Sequence, residues 1–534
     1  MEVVIRQVNG NDAARWQDLL KASVGEDYPD KLVYDPAWGA TQLDPATGHE
    51  TWVAESDDHF QASVSFLQPA TQTKNPVLNI GRQLFRPESF SNGSAEALLR
   101  RINLLGAERK QMIVARVLAA QQPEQLLHEK LGYVCAGFQP FKHLFRVRQG
   151  ALFYVWFARP DLVPRLPISE SLSQVSELAD AVLGNLRIPN PLTVRDGVTG
   201  YPLQTELQLQ EVGYHEFALW RLHAQSSSPP TEISSGYNLG LGLLRIPGDT
   251  QVRAVLGKRQ NNVVAGLAYL ADDRDRCVRL VDSFTTDDLA MGTLLHNAVR
   301  IAQDQLNAVY LEADVLMTAP RLLKTAEQLG FVPVAYLPAF YFNADSHTDV
   351  VKVVKLNMAY SLENAELTPH ARAVVHIVDQ NFQDQRIGGA IIGLLRALPI
   401  FEGLGDGELR KIARLFAQKL FRPGEKVFGK GDSGDEAYVV MRGQIEIHLE
   451  EKAPAVASVG NGQIFGELAF LDSSSRAAYA VASQASILLV IQRAAFLDLV
   501  QREPHLGMVV MRNMALEIAT RLRRTNTAFI ALKR

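Results

Sequence analysis

Near the end of the chain stands a run whose residue types suit one kind of ligand. Phe465-Gly466-Glu467-Leu468-Ala469 is followed by Arg476-Ala477-Ala478, and Glu467 and Arg476 are nine positions apart. An arginine fork matches the paired oxygens of a singly charged cyclic phosphate. A short helix opening at Glu467-Leu468-Ala469 offers N–H groups to the same phosphate. Glu467 is an acceptor for a neighbouring sugar hydroxyl, and Gly466 lets the backbone come close. An arginine placed this way contributes about 1.5–3 kcal/mol per charged hydrogen bond. The competing reading is a plain Arg476–Glu467 ion pair on a β surface, which gives no reason for the Gly-Glu-Leu-Ala context.

Such a cassette needs a β scaffold. From Leu398, LPIFEGLGDGELRKIARLF reads as an amphipathic helical lead-in. FRPGEKVFGKGDSGDEAYVVMRGQIEIHL then alternates apolar and polar residues between turns at Pro423-Gly424, Gly431-Asp432, Gly434-Asp435 and Arg442-Gly443. Short strands at this turn spacing predict a β-roll or jelly roll over residues 396–534.

The rest of the chain is a duplication. HEKLGYVCAGFQPF (His128–Phe141) matches AEQLGFVPVAYLPAF (Ala326–Phe340). Gly132 pairs with Gly330, Tyr133 with Phe331, Phe138 with Tyr336 and Pro140 with Pro338, each 198 residues apart. Both copies read as strand (Val77–Phe85; Cys277–Phe284), helix of about 15 residues, strand (Met112–Leu118; Ala308–Ala313) and a short helix ending in Leu-Gly-aromatic. Two α/β domains are expected, at 1–158 and 159–358, with Gln225–Gly236 as a loop. Residues 359–395 are expected to form a connector helix capped by Thr368 with Pro369 at its first position.

Composition agrees with about three globular domains in 534 residues, 47% of them hydrophobic and 21% charged. The formal charge, 54 − 58 = −4, excludes a chain built overall to coat nucleic acid. Cys135 and Cys277 are far apart, so no disulfide framework or cysteine zinc site is expected, which fits a reducing compartment. Histidines at HxxxH or HExxH spacing are missing, so no metal site is expected. The start MEVVIRQVNG has no secretory signal character, and no run approaches 18 apolar residues. A cytoplasmic protein without a membrane span is expected.

The cassette resembles the cyclic nucleotide-binding domain of kinase regulatory subunits and of the catabolite activator family, with Ser475 where proline is usual. The resemblance implies a cyclic nucleotide ligand held by Gly466, Glu467, Leu468, Ala469, Arg476, Ala477 and Ala478. A Thr or Ser after the arginine often accompanies cGMP, so Ala477 favours cAMP. IATRLRRTNTAF resembles the adenine-contacting helix of the activators and places Thr525 and Asn526 at their Thr-Ser pair. That implies adenine contacts from both chains of a homodimer. Eight residues follow Asn526, too few for a helix-turn-helix, so no nucleic-acid partner is expected.

The duplicated body resembles the GCN5-related N-acetyltransferase (GNAT) fold, present twice, with EKLGY and EQLGF at its late signature. The fold class implied is α+β multidomain: two GNAT-like mixed α/β domains, then a β-roll nucleotide-binding domain with flanking helices. The resemblance implies an acyl-CoA loop at Gly93-Ser94 in copy one and Gly292 in copy two, with acetyl-CoA as cofactor. Asp287 and Asp288 would repel its phosphates in copy two. His128 takes the place of the family's general-acid tyrosine, where copy two has Ala326. Two outputs follow: an N-acyltransferase controlled by nucleotide, or a non-catalytic pseudo-acetyltransferase that scaffolds a protein partner in response to cAMP. The first resembles bacterial cyclic nucleotide-controlled protein lysine acetyltransferases, in which the sensor comes first.

Overall fold

Val77–Phe85 and Met112–Leu118 are almost wholly buried runs rich in branched residues, and they pair in parallel from Val77–Met112 to Ile80–Ala115. Cys277–Thr285 and Tyr310–Leu316 do the same from Cys277–Tyr310 to Leu280–Ala313. Burial on both faces explains why these strands read as continuous apolar stretches. In each pair the ladder stops while both strands run on, and a cleft opens between their C-terminal ends.

These observations come from a computed structural model that describes residues 3–26, 31–44, 50–66, 77–109, 112–144, 147–158, 165–166, 170–190, 192–194, 198–225, 232–233, 250–273, 275–343, 346–362, 365–387, 389–451 and 453–532. The chain divides into two units, Met1–Phe382 and Gln383–Arg534. Most of the expected loop Gln225–Gly236 lies outside the described residues.

The first unit is built on one 14-stranded sheet. Its first half runs Val4–Gln7, Glu50–Ser56, His59–Phe66, Val77–Phe85, Met112–Leu118, Arg148–Phe157, Val134–Leu144. From the other edge the second half runs Gln208–Gly213, Thr250–Arg259, Asn262–Asp272, Cys277–Thr285, Tyr310–Leu316, Ser346–Leu356, Val332–Asn343. The pairing senses are identical, with one parallel pair in each half. The halves join edge to edge where Gly137 pairs with Ala335. A Cβ on Gly137 would stand 2.1 Å from that of Ala335, so the join requires glycine.

Helix Ser94–Glu108 buries Leu98, Leu99, Ile102 and Leu105 against the sheet, and helix Met291–Arg300 buries Leu294, Leu295, Ala298 and Val299. The second helix passes into a π turn at Ile301–Gln305. Thr368 Oγ1 accepts from the Ala371 N–H at the start of helix Pro369–Ile387, whose Val374, Val375 and Val378 join the first unit's core.

In the second unit two four-stranded sheets face each other. One runs Phe416–Phe421, Ser486–Gln492, Glu436–Arg442, Ile464–Phe465; the other runs Lys426–Phe428, Tyr479–Ala482, Gln444–His448, Ala457–Gly460. Val440, Ile445, Ala480, Leu488 and Val490 fill the space between them. Helices Asp406–Ala413, Arg493–Arg502 and Pro504–Leu532 flank this β-roll. Among the described residues no helix is long and apolar enough to cross a membrane, and no three His, Cys, Asp or Glu side chains are grouped to hold a metal ion.

Candidate functional site

The cassette follows strand Ile464–Phe465. Gly466 has φ +77° and opens the short helix Glu467–Asp472. A Cβ at Gly466 would lie 2.8 Å from Arg476 Nη1, so the turn is glycine by geometry as well as by contact. The chain returns through Ser473, itself left-handed, to Arg476. There the Arg476 N–H donates to the Asp432 carbonyl and the Gly431 N–H donates to the Arg476 carbonyl, both at 2.8 Å. The loop 431–432 and the cassette therefore hold each other.

The Arg476 side chain is 3% exposed. Nη1 donates to the Gly466 carbonyl at 2.8 Å and Nη2 to the Glu436 carbonyl. Its Cζ lies 4.3 Å from the centre of the Phe428 ring, with Tyr438 on a second side. Nε is buried and has no hydrogen-bond partner among the described residues. A buried guanidinium with an unspent donor can give a further charged hydrogen bond to an anion.

Arg476 lines a cavity of about 620 Å³ with Gly466, Glu467, Leu468, Ala469, Ala477 and Ala478. That volume is of the order that encloses a small organic ligand. Glu467 is buried at its wall, and Leu468 is mostly exposed. The structure thus brings together the seven cassette residues expected from sequence. The side chains of Thr525 and Asn526, on helix Pro504–Leu532, lie outside the described residues; Glu517 of the same helix lines the cavity.

Several site residues escaped the sequence reading. Glu436 and Tyr438 alternate along one strand and carry the cassette from below. Tyr438 Oη donates to the Glu436 carboxylate at 2.5 Å. Burial would raise that carboxyl, but hydrogen bonds from Tyr438 and Lys419 hold it below the usual range. A Cβ on Gly434 would lie 2.4 Å from that of Ala469, and Leu398, Pro399 and Ile400 close one side of the cavity. The Gly434 turn was the visible signal; which residues it would press against was not.

In the first unit the other candidates fall in separate places. His128 is fully buried. Its Nδ1 lies 2.8 Å from the Glu124 carbonyl and its Nε2 3.1 Å from Gln83 Oε1. Burial lowers its pKa to about 4. Gly93 caps helix Ser94–Glu108 with φ +83°, and no described residue lies within 4 Å of its Cβ position. The Ser94 N–H donates to Asn92 Oδ1 at 2.9 Å, while Ser94 Oγ is buried with no hydrogen-bond partner among the described residues. Arg86 is held by Asp18 at 2.6 Å.

Copy two is covered at the matching point. A Cβ on Gly292 would lie 2.3 Å from the Pro202 carbonyl oxygen. Thr205 Oγ1 donates to the Leu289 carbonyl and lies 2.9 Å from Thr293 Oγ1. Asp287 pairs with Arg259 and Asp288 with Arg321, each at 3.0 Å.

The β-roll, its glycine-opened cassette and its buried arginine define a class, and residues 418–503 match the cyclic nucleotide-binding domain family. The second unit carries such a domain. The chain is 33% identical over 132 residues to the cyclic AMP receptor protein of Thermus thermophilus, a match covering 24% of this chain and 59% of that one. It is 34% identical over 86 residues to a cAMP-dependent protein kinase regulatory subunit of Yarrowia lipolytica, covering 16% and 23%. Among solved structures, the catabolite activator protein of Thermus thermophilus matches at 31% identity with a TM-score of 0.23, covering 25% of this chain and 63% of that one. The chain thus spans less than two thirds of each of these relatives.

Proposed function

We propose that this chain is a cAMP-sensing regulator whose N-terminal unit is the output. The observation that carries the ligand is Arg476: with Gly466 and Glu467 it lines a cavity of nucleotide size, and its buried Nε has no hydrogen-bond partner among the described residues. A cyclic phosphate supplies the missing acceptor, and Glu467 is placed for the ribose hydroxyl. Ala477 offers no hydroxyl to guanine, so adenine is preferred. Met508, Met511, Leu516 and Leu522 are exposed along helix Pro504–Leu532 and support a homodimer formed through that helix. Cys135 and Cys277 are buried and not joined in a disulfide, which suits a reducing cytoplasm.

The identical strand order of the two half-sheets supports reading the output unit as tandem GNAT-like domains. Copy one is then the acyl-CoA copy, because a Cβ on Gly93 would meet none of the described residues within 4 Å while that on Gly292 would meet Pro202. On this reading the chain is an N-acyltransferase under nucleotide control. The burial of His128 favours the second reading, a non-catalytic scaffold that binds a protein partner according to cAMP. One calorimetric experiment tests both: purified chain titrated with cAMP, cGMP and acetyl-CoA, the last with and without cAMP. cAMP binding tighter than cGMP is expected. Absence of acetyl-CoA binding in both states removes the transferase, and absence of cyclic nucleotide binding removes the sensor.

A further inference from the structure

The loop before strand Glu436–Arg442 wraps around Arg476. Phe428 ends strand Lys426–Phe428 and pairs with Ala480, on the strand that follows the arginine. The Gly429 N–H then donates to Asp432 Oδ2 at 2.6 Å, which closes the loop on itself. Its Asp432 carbonyl and Gly431 N–H take the main chain of Arg476, and its Phe428 ring takes the side chain, with Cζ 4.3 Å from the ring centre.

Two further rings stand next to the groups that hold the guanidinium. Phe465 directly precedes Gly466, whose carbonyl accepts from Nη1 at 2.8 Å. Tyr438 lies two residues past Glu436, whose carbonyl accepts from Nη2. Tyr438 and Phe465 are stacked with centres 5.0 Å apart, and Phe428 packs on both, at 5.7 and 5.9 Å. One ring therefore meets the cation and both neighbours of its acceptors. A ring face attracts a guanidinium through its quadrupole, most strongly where water is excluded. Arg476 is buried, so that condition holds. Strand propensity alone would be met at position 428 by valine or isoleucine, which have no such face.

We propose that Phe428 is a positioning residue of the nucleotide site: its ring face sets the plane of the Arg476 guanidinium, in which Nη1 and Nη2 reach the Gly466 and Glu436 carbonyls and Nε is kept for the cyclic phosphate. The proposal rests on the cyclic nucleotide reading of this site. Phe428 also lines the cavity, so an effect through the arginine has to be separated from direct contact with the nucleotide.

The test is calorimetry on the full chain with cAMP. Phe428→Leu is expected to weaken binding about tenfold, and Phe428→Tyr, which restores the aromatic face, to stay within about threefold of wild type. In an Arg476→Gln background Phe428→Leu is expected to change the affinity by less than about twofold, because the ring then has no cation to hold. Pentafluorophenylalanine in place of Phe428 keeps the shape and reverses the quadrupole, and should weaken binding as Phe428→Leu does. It decides the matter if Phe428→Leu does not fold or if Arg476→Gln binds too weakly to titrate. Wild-type affinity in Phe428→Leu or in the fluorinated chain overturns the proposal while the cyclic nucleotide reading stands. So does a loss in Phe428→Tyr as large as in Phe428→Leu, or an equal loss in both Arg476 backgrounds. A wild-type chain that binds no cyclic nucleotide overturns that reading and this proposal with it.

Discussion

Arg476 Nη1 donates to the carbonyl oxygen of Gly466 at 2.8 Å, ten residues upstream. With Nη2 on the Glu436 carbonyl, the guanidinium is fixed by the backbone before any ligand arrives, and among the described residues Nε has no hydrogen-bond partner. An arginine locked this way loses little side-chain entropy on binding an anion. Arg476→Glu reverses the charge and removes the fork. The expected result is a rise in the cAMP dissociation constant of at least about tenfold, from the charged hydrogen bond lost and the charge reversed beside the phosphate. Arg476→Lys keeps the charge but not the fork and should still weaken binding about tenfold or more. Both are read by titration with a fluorescent cAMP analogue.

Gly466 tests the same turn from the other side. An alanine there combines a left-handed φ, which costs about 1–2 kcal/mol, with a Cβ 2.8 Å from Arg476 Nη1. Gly466→Ala should therefore weaken cAMP binding and lower the unfolding midpoint of the second unit together. Gly434→Ala acts without touching the arginine. Its Cβ would meet the Ser474 carbonyl at 2.5 Å and push the helix Glu467–Asp472 outward. Weaker cAMP binding with Arg476 intact is expected, and calorimetry on both variants checks it.

Glu312 holds the seam between the half-sheets. It is fully buried, lies 2.8 Å from Lys142 Nζ, accepts from Gln139 Nε2 at 2.7 Å and pairs with Arg279. Burial alone would raise its pKa, but Arg279, Lys142 and Lys352 hold it well below the usual carboxylate range. Glu312→Gln leaves those cations buried and should cost about 3–5 kcal/mol at neutral pH. The sign with pH follows. A depressed carboxyl stabilises above its unfolded pKa, near 4.5, and that contribution is lost as pH falls through the lower folded value. The difference between wild type and variant should therefore shrink below about pH 4 in urea titrations.

How much of this was legible in the sequence depended on range. The β-roll and its cassette were, because glycine turns and the Glu467-to-Arg476 spacing are local. The duplication was legible through its repeated Leu-Gly-aromatic ends. The fusion of both halves into one sheet was not, since it depends on Gly137 meeting Ala335, 198 residues on. Nor was the burial of His128. Helix Gln122–Lys130 looks polar, but Gln125 Nε2 donates to the Glu366 carbonyl and Thr368 Oγ1 donates to Glu129, so a distant segment covers it.

Helix Gln122–Lys130 also carries two groups whose titrations oppose each other. Burial raises the Glu124 carboxyl from 4.5 to about 8 and lowers the His128 imidazole from 6.5 to about 4. Between pH 4.5 and 8 the folded state keeps a proton on Glu124 that the unfolded chain has released, so stability falls as pH rises through that window. Between pH 4 and 6.5 the unfolded chain binds a proton on His128 that the folded state refuses, so stability falls as pH drops. Glu124→Gln removes the first slope. Its stability relative to wild type should climb by roughly a few kcal/mol from pH 5 to pH 8 and then level off. His128→Gln should gain on wild type only below pH 6.5. All five tryptophans (Trp16, Trp38, Trp52, Trp156 and Trp220) belong to the first unit, so tryptophan fluorescence in urea follows that unit alone. A flat difference between Glu124→Gln and wild type over this range would mean that the carboxyl is ionised in the fold.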